Sequence, residues 1–313
     1  MKYPKLNFQD VKTYPLRQRS SKVQLKDLAA PWKQGSSFRQ FLDRLPQILV
    51  AKDFRALVTA TVKARRKKKT VLLCMGAHPI KCGLNPVIND LLRRGVISAI
   101  AANGAAAIHD FELALIGQTS EDVQAGLDDG SFGMADETGR FLNEALASGV
   151  KRGIGAGRAA GEAILSGKFP HKQHSLLATA ARLDAPATIH IAIGTDIIHQ
   201  HPTTNGATLG EATYRDFQTL TSVVATLGDG GVVINLGSAV MMPEVFLKAL
   251  TIARNLGHRV ENFTTATFDM HRLYRPTENI VRRPTHRGGC GYYFVGHHEI
   301  MFPLFAAAVI DGL

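Results

Sequence analysis

The sequence predicts an α/β domain built on a mostly parallel sheet. Three observations carry that reading. Apolar runs without polar alternation, such as Thr70-Val71-Leu72-Leu73-Cys74-Met75, suit strands buried on both faces. Segments with apolar residues at helical spacing alternate with these runs along the chain. Several runs break into Gly-containing turns, and open parallel sheets bind ligands beyond the carboxyl ends of their strands.

The elements follow in order. Residues 1–35 are polar and basic, with Pro4, Pro15 and Pro31, and read as an extended arm that packs on the domain or on a neighbouring subunit. Residues 36–313 read as a single domain. Ser37 starts a helix to about Leu45, where Pro46 breaks it. Phe54 to Arg66 is a second helix. The strand Thr70–Met75 turns through Gly76-Ala77-His78-Pro79. Val87, Ile88, Leu91 and Leu92 then share one helical face, which ends at Arg93-Arg94-Gly95. A strand from Val96 to Ala102 breaks into Asn103-Gly104-Ala105-Ala106-Ala107, and Ile108 opens the next helix.

Thr119 to Asp122 fits a capping pattern for a short helix to Leu127. Helices are expected at Asp136–Ala147, Gly153–Leu165, Ser175–Arg182, Asp216–Leu227, Pro243–Leu256 and Met301–Ile310. Strands are expected at Thr188–Ile193, Val232–Leu236, Arg259–Thr265 and Gly291–Val295. Gly153-Ile154-Gly155-Ala156-Gly157 is a poor dinucleotide loop. Position 158 is Arg158, not glycine, and a helix rather than a strand precedes it. A close helix crossing or a flexible joint explains it better.

The chain has 313 residues, 45% of them hydrophobic, enough for a large core. No apolar run suits a membrane span, and the N-terminus lacks the apolar core of a signal peptide. Three cysteines cannot form a disulfide framework, so a cytoplasmic setting is expected. The net charge of +11 is concentrated in the arm and in Lys63–Lys69. That basic run suits either a solvated helix end or an acidic protein partner. Without interleaved aromatics, nucleic acid is not the expected partner.

His109-Asp110, beyond the second strand, suits either an orienting acid–base pair or a helix start with a favourably placed carboxylate. Asp196, His199 and His201 follow the third strand. They can contact a substrate or cofactor, or as a set of three coordinate a metal. The first reading is preferred, so no metal is expected. Gly288-Gly289-Cys290-Gly291 is a turn before a strand, since one cysteine makes a poor zinc signature.

The order of motifs resembles the deoxyhypusine synthase family over residues 68–310. Ile80-Lys81-Cys82-Gly83-Leu84 is similar to the step after the family's first strand, and Asn103-Gly104-Ala105 to its second NAD loop. Asp110 falls on an acidic position, with His109 where the family has glutamate. Gly194-Thr195-Asp196, His201, Thr264-Thr265-Ala266, Phe268-Asp269, Arg275-Pro276-Thr277-Glu278 and Met301-Phe302-Pro303-Leu304 follow in the family order. The resemblance implies a Rossmann-like doubly wound sheet with helices on both faces. It implies NAD at Gly76, Ala77, His78, Asn103, Gly104, Ala105, Thr265 and His297, an amine substrate of polyamine type, and a homotetramer.

Departures limit the carry-over. The family's nucleophilic lysine follows Arg-Pro, where this chain reads Ile280-Val281-Arg282-Arg283-Pro284. Arginine cannot form an imine. Lys81 is the lysine left in the recognised loops, and a helix-start lysine suits catalysis or phosphate binding. The ribose motif reads Gly296-His297-His298-Glu299. The expectation is therefore an NAD-dependent enzyme acting on an amine, with transferase or dehydrogenase chemistry but without authentic deoxyhypusine formation. Its catalytic candidates are His109, Asp110, Asp196, His201, Asp269 and Lys81. The alternatives are a metal-dependent enzyme using His199, His201 and Asp196, or a non-enzymatic binding or assembly protein on the same fold.

Overall fold

A computed structural model describes residues 3–313; Met1 and Lys2 of the basic arm lie outside the described residues. The residues up to Lys52 group together, and Asp53–Leu313 form a second unit. The first unit holds short 3-10 turns and helix α1 (Phe38–Arg44), whose Ser37 and Gln40 form a capping box. Within it, Ala30 N–H donates to the Arg44 carbonyl at 3.0 Å, and Trp32 meets Phe41 edge-on.

Helix α2 (Leu49–Arg66) leads into β1 (Val71–Met75). Then come α3 (His78–Lys81), α4 (Asn85–Arg93), β2 (Ala99–Asn103), α5 (Gly104–Ile116), α6 (Val123–Leu127), α7 (Asp136–Lys151), α8 (Ala156–Ser166) and α9 (Leu176–Arg182). β3 (Ala187–His190), α10 (Gly206–Ala225), β4 (Val232–Leu236), α11 (Met241–Asn255) and β5 (Thr264–Asp269) follow. One turn of α12 (Tyr274–Pro276) runs into a π-turn at Thr277–Arg282, before β6 (Cys290–Val295) and α13 (His298–Asp311).

The sheet has six strands in the order β3-β2-β1-β4-β5-β6, all parallel. This is the doubly wound, Rossmann-like arrangement, and the strand order reverses between β1 and β4. On one face, Leu72, Cys74, Ala101 and Val233 pack against Met242, Phe246 and Ala249 of α11 and Leu220 and Val224 of α10. On the other, Phe268 stacks on Phe294 at 4.8 Å, and Phe54 of α2 and Phe302 and Phe305 of α13 complete an aromatic cluster. Burying each such ring contributes about 1.5–3 kcal/mol.

Several boundaries need correction, and α10 starts at Gly206 rather than Asp216, with Asn205 as its N-cap. Helix α5 starts at Gly104, not Ile108, and Asn103 is both the last residue of β2 and the N-cap. The Gly-Ala-Ala-Ala stretch looked like a loop, but alanine is the best helix former. The fifth strand is Thr264–Asp269 rather than Arg259–Thr265. Asn262 sits at φ +54°, and the 261–262 backbone bonds to Asp229 and Gly230 instead of extending the sheet. The Thr-rich run that follows is the strand, as suits β-branched residues.

Gly155-Ala156-Gly157 has a specific use. The Asp216 carboxylate, fully buried on α10, accepts from Gly157 N–H at 2.8 Å and Ile189 N–H at 2.7 Å. A Cβ at Gly155 would stand 1.9 Å from that carboxylate. Two helices, α8 and α10, and β3 thus meet at one carboxyl. Burial pushes the Asp216 carboxyl up to about 7, against the pull of the Ile189, Gly157 and Ala156 N–H groups. A folded pKa above the unfolded one gives a contribution that is full below about pH 4 and lost as pH rises toward 7. The melting temperature of Asp216→Asn relative to wild type should therefore rise between pH 4.5 and 7.5. A pH-independent difference would show an ordinary carboxyl.

Candidate functional site

The second βα unit builds a cleft at the carboxyl edge of β2 and β3. Helix α5 puts His109 and Glu112 three residues apart on one face. Lys81 at the end of α3, Glu121 before α6, Asp196 after β3, and Ile108, Val123, Phe132 and Ile197 complete the walls of a cavity of about 240 Å³.

A short proton chain fixes the imidazole. The Thr119 hydroxyl donates to Glu112 Oε2 at 2.5 Å, so it accepts from His109 Nδ1 at 2.6 Å. Nδ1 therefore carries the hydrogen, and Nε2 keeps a lone pair with no hydrogen bond among the described residues. Thr138 donates to the other Glu112 oxygen at 3.1 Å. Burial raises the Glu112 carboxyl, but the hydrogen bonds from His109, Thr119 and Thr138 outweigh it and hold the group below its usual range. The arrangement is a carboxylate–hydroxyl–imidazole relay that orients a base and stabilises the imidazolium it forms.

Asp196 sits over the start of α5. A Cβ on Gly104 would lie 2.0 Å from Asp196 Oδ2, so glycine is what admits the carboxylate there. Burial pushes the Asp196 carboxyl up to about 6, while Thr195, the Ala105 N–H and His109 pull it down. Among the described residues its Oδ2 has no hydrogen-bond partner. His199 Nδ1 accepts from the backbone N–H groups of Gly194 at 3.1 Å and Asp196 at 3.2 Å, so its Nε2 carries the hydrogen, 3.8 Å from Asp196 Oδ2.

The other predicted residues are placed as follows. Asp110 is not paired with His109 for chemistry, which corrects that expectation. It is 1% exposed, and its carboxylate accepts from Ser175 Oγ (2.6 Å), Leu176 N–H (2.7 Å), Leu177 N–H (3.1 Å) and Asn85 Nδ2 (3.1 Å). It caps α9. His201 packs on Gly139 of α7, with Nδ1 on Thr203 and Nε2 3.7 Å from Asp136. Among the described residues no set of three side chains could hold a metal. Asp269 ends β5, three strands and about 14 Å from β2, so it does not join Asp196. It accepts from His271 N–H.

Of the expected NAD contacts, Thr265 is fully buried in the first half of β5, away from the carboxyl edge, because the strand begins later than expected. His297 is exposed at the start of α13. Its neighbour His298 is the buried one, with Nδ1 unpartnered and its ring 5.5 Å from His78 beside Gly237, where the strand order reverses. Asn103 accepts from Ala106 N–H. Ala105 lines the cleft, Ala77 is half-buried and His78 is exposed. Gly76 is closed over, since a Cβ there would meet the Gly237 carbonyl at 2.4 Å. Glu112, Thr119 and Glu121 were missed. The His109–Glu112 spacing on one helix was the available signal.

No family model matches the chain, and no curated protein matches it in sequence. Solved structures do match. ArgZ, an arginine dihydrolase from the ornithine-ammonia cycle in cyanobacteria, superposes with a TM-score of 0.53 at 15% identity, over 84% of this chain and 33% of its own. AgrE in ternary complex with ornithine and NAD+ gives 0.53 at 12% identity, over 88% and 34%. A putative deoxyhypusine synthase from Entamoeba histolytica gives 0.53 at 11% identity, over 90% and 96%. At these identities the likeness is one of fold. The chain spans about a third of the length of ArgZ and AgrE. Deoxyhypusine synthase is one of several proteins that share the fold and is not singled out.

The contact over Gly104 gives a direct test. Gly104→Ala should cost about 1–3 kcal/mol by overpacking. Combined with Asp196→Ser it should cost less than the sum of the single changes, as coupled neighbours do. Urea denaturation of the four proteins measures this; strict additivity would separate the two residues.

Proposed function

We propose that the cleft binds a small cationic amine and that His109 acts on it as a general base. The carrying observation is the Glu112–Thr119–His109 chain opening into a cavity that Glu121 and Asp196 also line. The carboxylates attract an ammonium group. His109 Nε2 takes a proton from the bound amine, and the resulting imidazolium is held through Thr119 by Glu112. A neutral amine is the form that attacks an electrophile, so the step suits transferase chemistry. AgrE, with the same fold, is seen with ornithine, which is in keeping with an amine ligand.

The reading excludes imine chemistry at the position of the family lysine. There the π-turn presents Arg282, bonded to Glu278 at 2.8 Å, and Arg283, bonded to Asn279 at 2.7 Å. No observation favours the metal-dependent alternative. NAD is the cofactor that the fold suggests, and two glycines of the expected loops do not fit its phosphates. Asp196 lies over Gly104, and Gly237 covers Gly76. Among the described residues no helix is long and apolar enough to cross a membrane.

Calorimetry with putrescine, spermidine and L-ornithine tests the proposal. At least one should bind with a sub-millimolar Kd, and Glu121→Gln should weaken it about tenfold. Affinity should increase from pH 5 to pH 7, because Asp196 ionises through about 6 and only its charged form attracts the ammonium. His109→Ala should lower turnover about a hundredfold and leave the amine Kd nearly unchanged. No heat with any amine, or equal binding of 1,4-butanediol, would remove the reading.

We also propose self-association into a homotetramer, on the resemblance and on an arm whose Tyr3, Leu6, Phe8 and Leu16 are all exposed. Light scattering at micromolar concentration should give about four times the 33.9 kDa chain mass. A monomeric mass would refute it.

A further inference from the structure

We infer that Asp196 is a built-in anion that closes the start of α5 to phosphate, so that the chain does not take a dinucleotide through this loop. A helix N-terminus offers free N–H groups and a positive dipole end, and in doubly wound folds it is a natural seat for pyrophosphate. Here the seat is filled from within. The Asp196 carboxylate lies where a phosphate oxygen would approach Gly104, with the Ala105 N–H facing it. The next donor, Ala106 N–H, is taken by Asn103 Oδ1 at 3.2 Å. A phosphate at this helix would both lose its donors and meet a like charge.

The loops on either side of the strand reversal offer no substitute. Gly76 N–H donates to the Leu236 carbonyl at 3.2 Å, and Pro79 in α3 has no N–H. Gly237 N–H donates to the Phe268 carbonyl at 3.1 Å, and Met242 N–H at the start of α11 donates to Ser238 Oγ at 3.1 Å. The glycines that suggested a cofactor cradle are close approaches of the protein to itself. Asp196 is the charged obstacle among these, and a side-chain change removes it.

The inference does not depend on amine binding, because it concerns a different ligand. ADP-ribose and NAD, each at millimolar concentration, are titrated into wild type, Asp196→Asn and Asp196→Ala, with amide chemical shifts of Gly104–Ala106 as the local readout. Wild type should give no heat. Asp196→Asn, which keeps the shape, and Asp196→Ala should gain binding at least tenfold above the detection limit, with shifts at those three amides. Wild-type binding that is lost in Asp196→Asn would overturn the inference, since Asp196 would then be a contact for the ligand. Two folded variants that gain nothing would overturn it as well, since Asp196 would not be what closes the loop. Thermal melts establish that both variants are folded.

Discussion

Buried aspartates seated on the starts of neighbouring helices hold one half of this molecule together. Asp216 on α10 takes N–H groups from the start of α8 and from β3. Asp110 on α5 takes those of α9, with Ser175 and Asn85. Asp196, after β3, lies on the start of α5. Burying a carboxylate costs several kcal/mol unless hydrogen bonds and dipoles answer it. Asp216 and Asp110 meet backbone donors at the positive end of a helix dipole. The helices around β2 and β3 are thereby tied across long sequence separations, while the β4–β6 half relies on stacked aromatic rings.

That scaffold determines what the cleft can do. Asp110 anchors α5 on its buried side, so the opposite side presents His109 and Glu112 in a fixed attitude. Because Thr119 donates to Glu112, His109 has one tautomer, and its free nitrogen is the basic one. Asp196 adds charge at the same wall, where burial leaves it near the protonation boundary. A cation would favour its ionised form and so strengthen the field that holds the cation.

Much of the fold was legible in the sequence because buried parallel strands need uninterrupted apolar runs, and these stand out at Val71–Met75 and Val232–Leu236. The misread places follow from chemistry with two meanings. Gly104–Ala107 is loop-like by its glycine and helical by its alanines. Thr264–Thr267 is polar by composition and β-forming by branching. The site was legible only in part. Successive residues of a helix point about 100° apart, so His109 and Glu112 share a face whereas Asp110 and Glu112 do not. The His109-Asp110 pair was read as a unit because the residues are adjacent, although adjacency on a helix separates side chains. Thr119 lies ten residues on, across a turn, and its local pattern suggested a helix cap, a role that Asp122 takes instead.

Glycines show the deeper ambiguity. A small residue at a helix start permits an anion to approach the backbone, and the sequence does not say whose anion. Gly104 and Gly155 are used in the same way in this chain, each beneath an aspartate that arrives from a distant segment. Such a carboxylate, when ionised, supplies from within the chain the charge that a bound phosphate would bring. It stabilises the loop without a ligand, and it reverses the charge that the loop shows to solvent. A strand–loop–helix step that is open to phosphate in one protein becomes, with one aspartate folded over it, part of an acidic wall suited to cations.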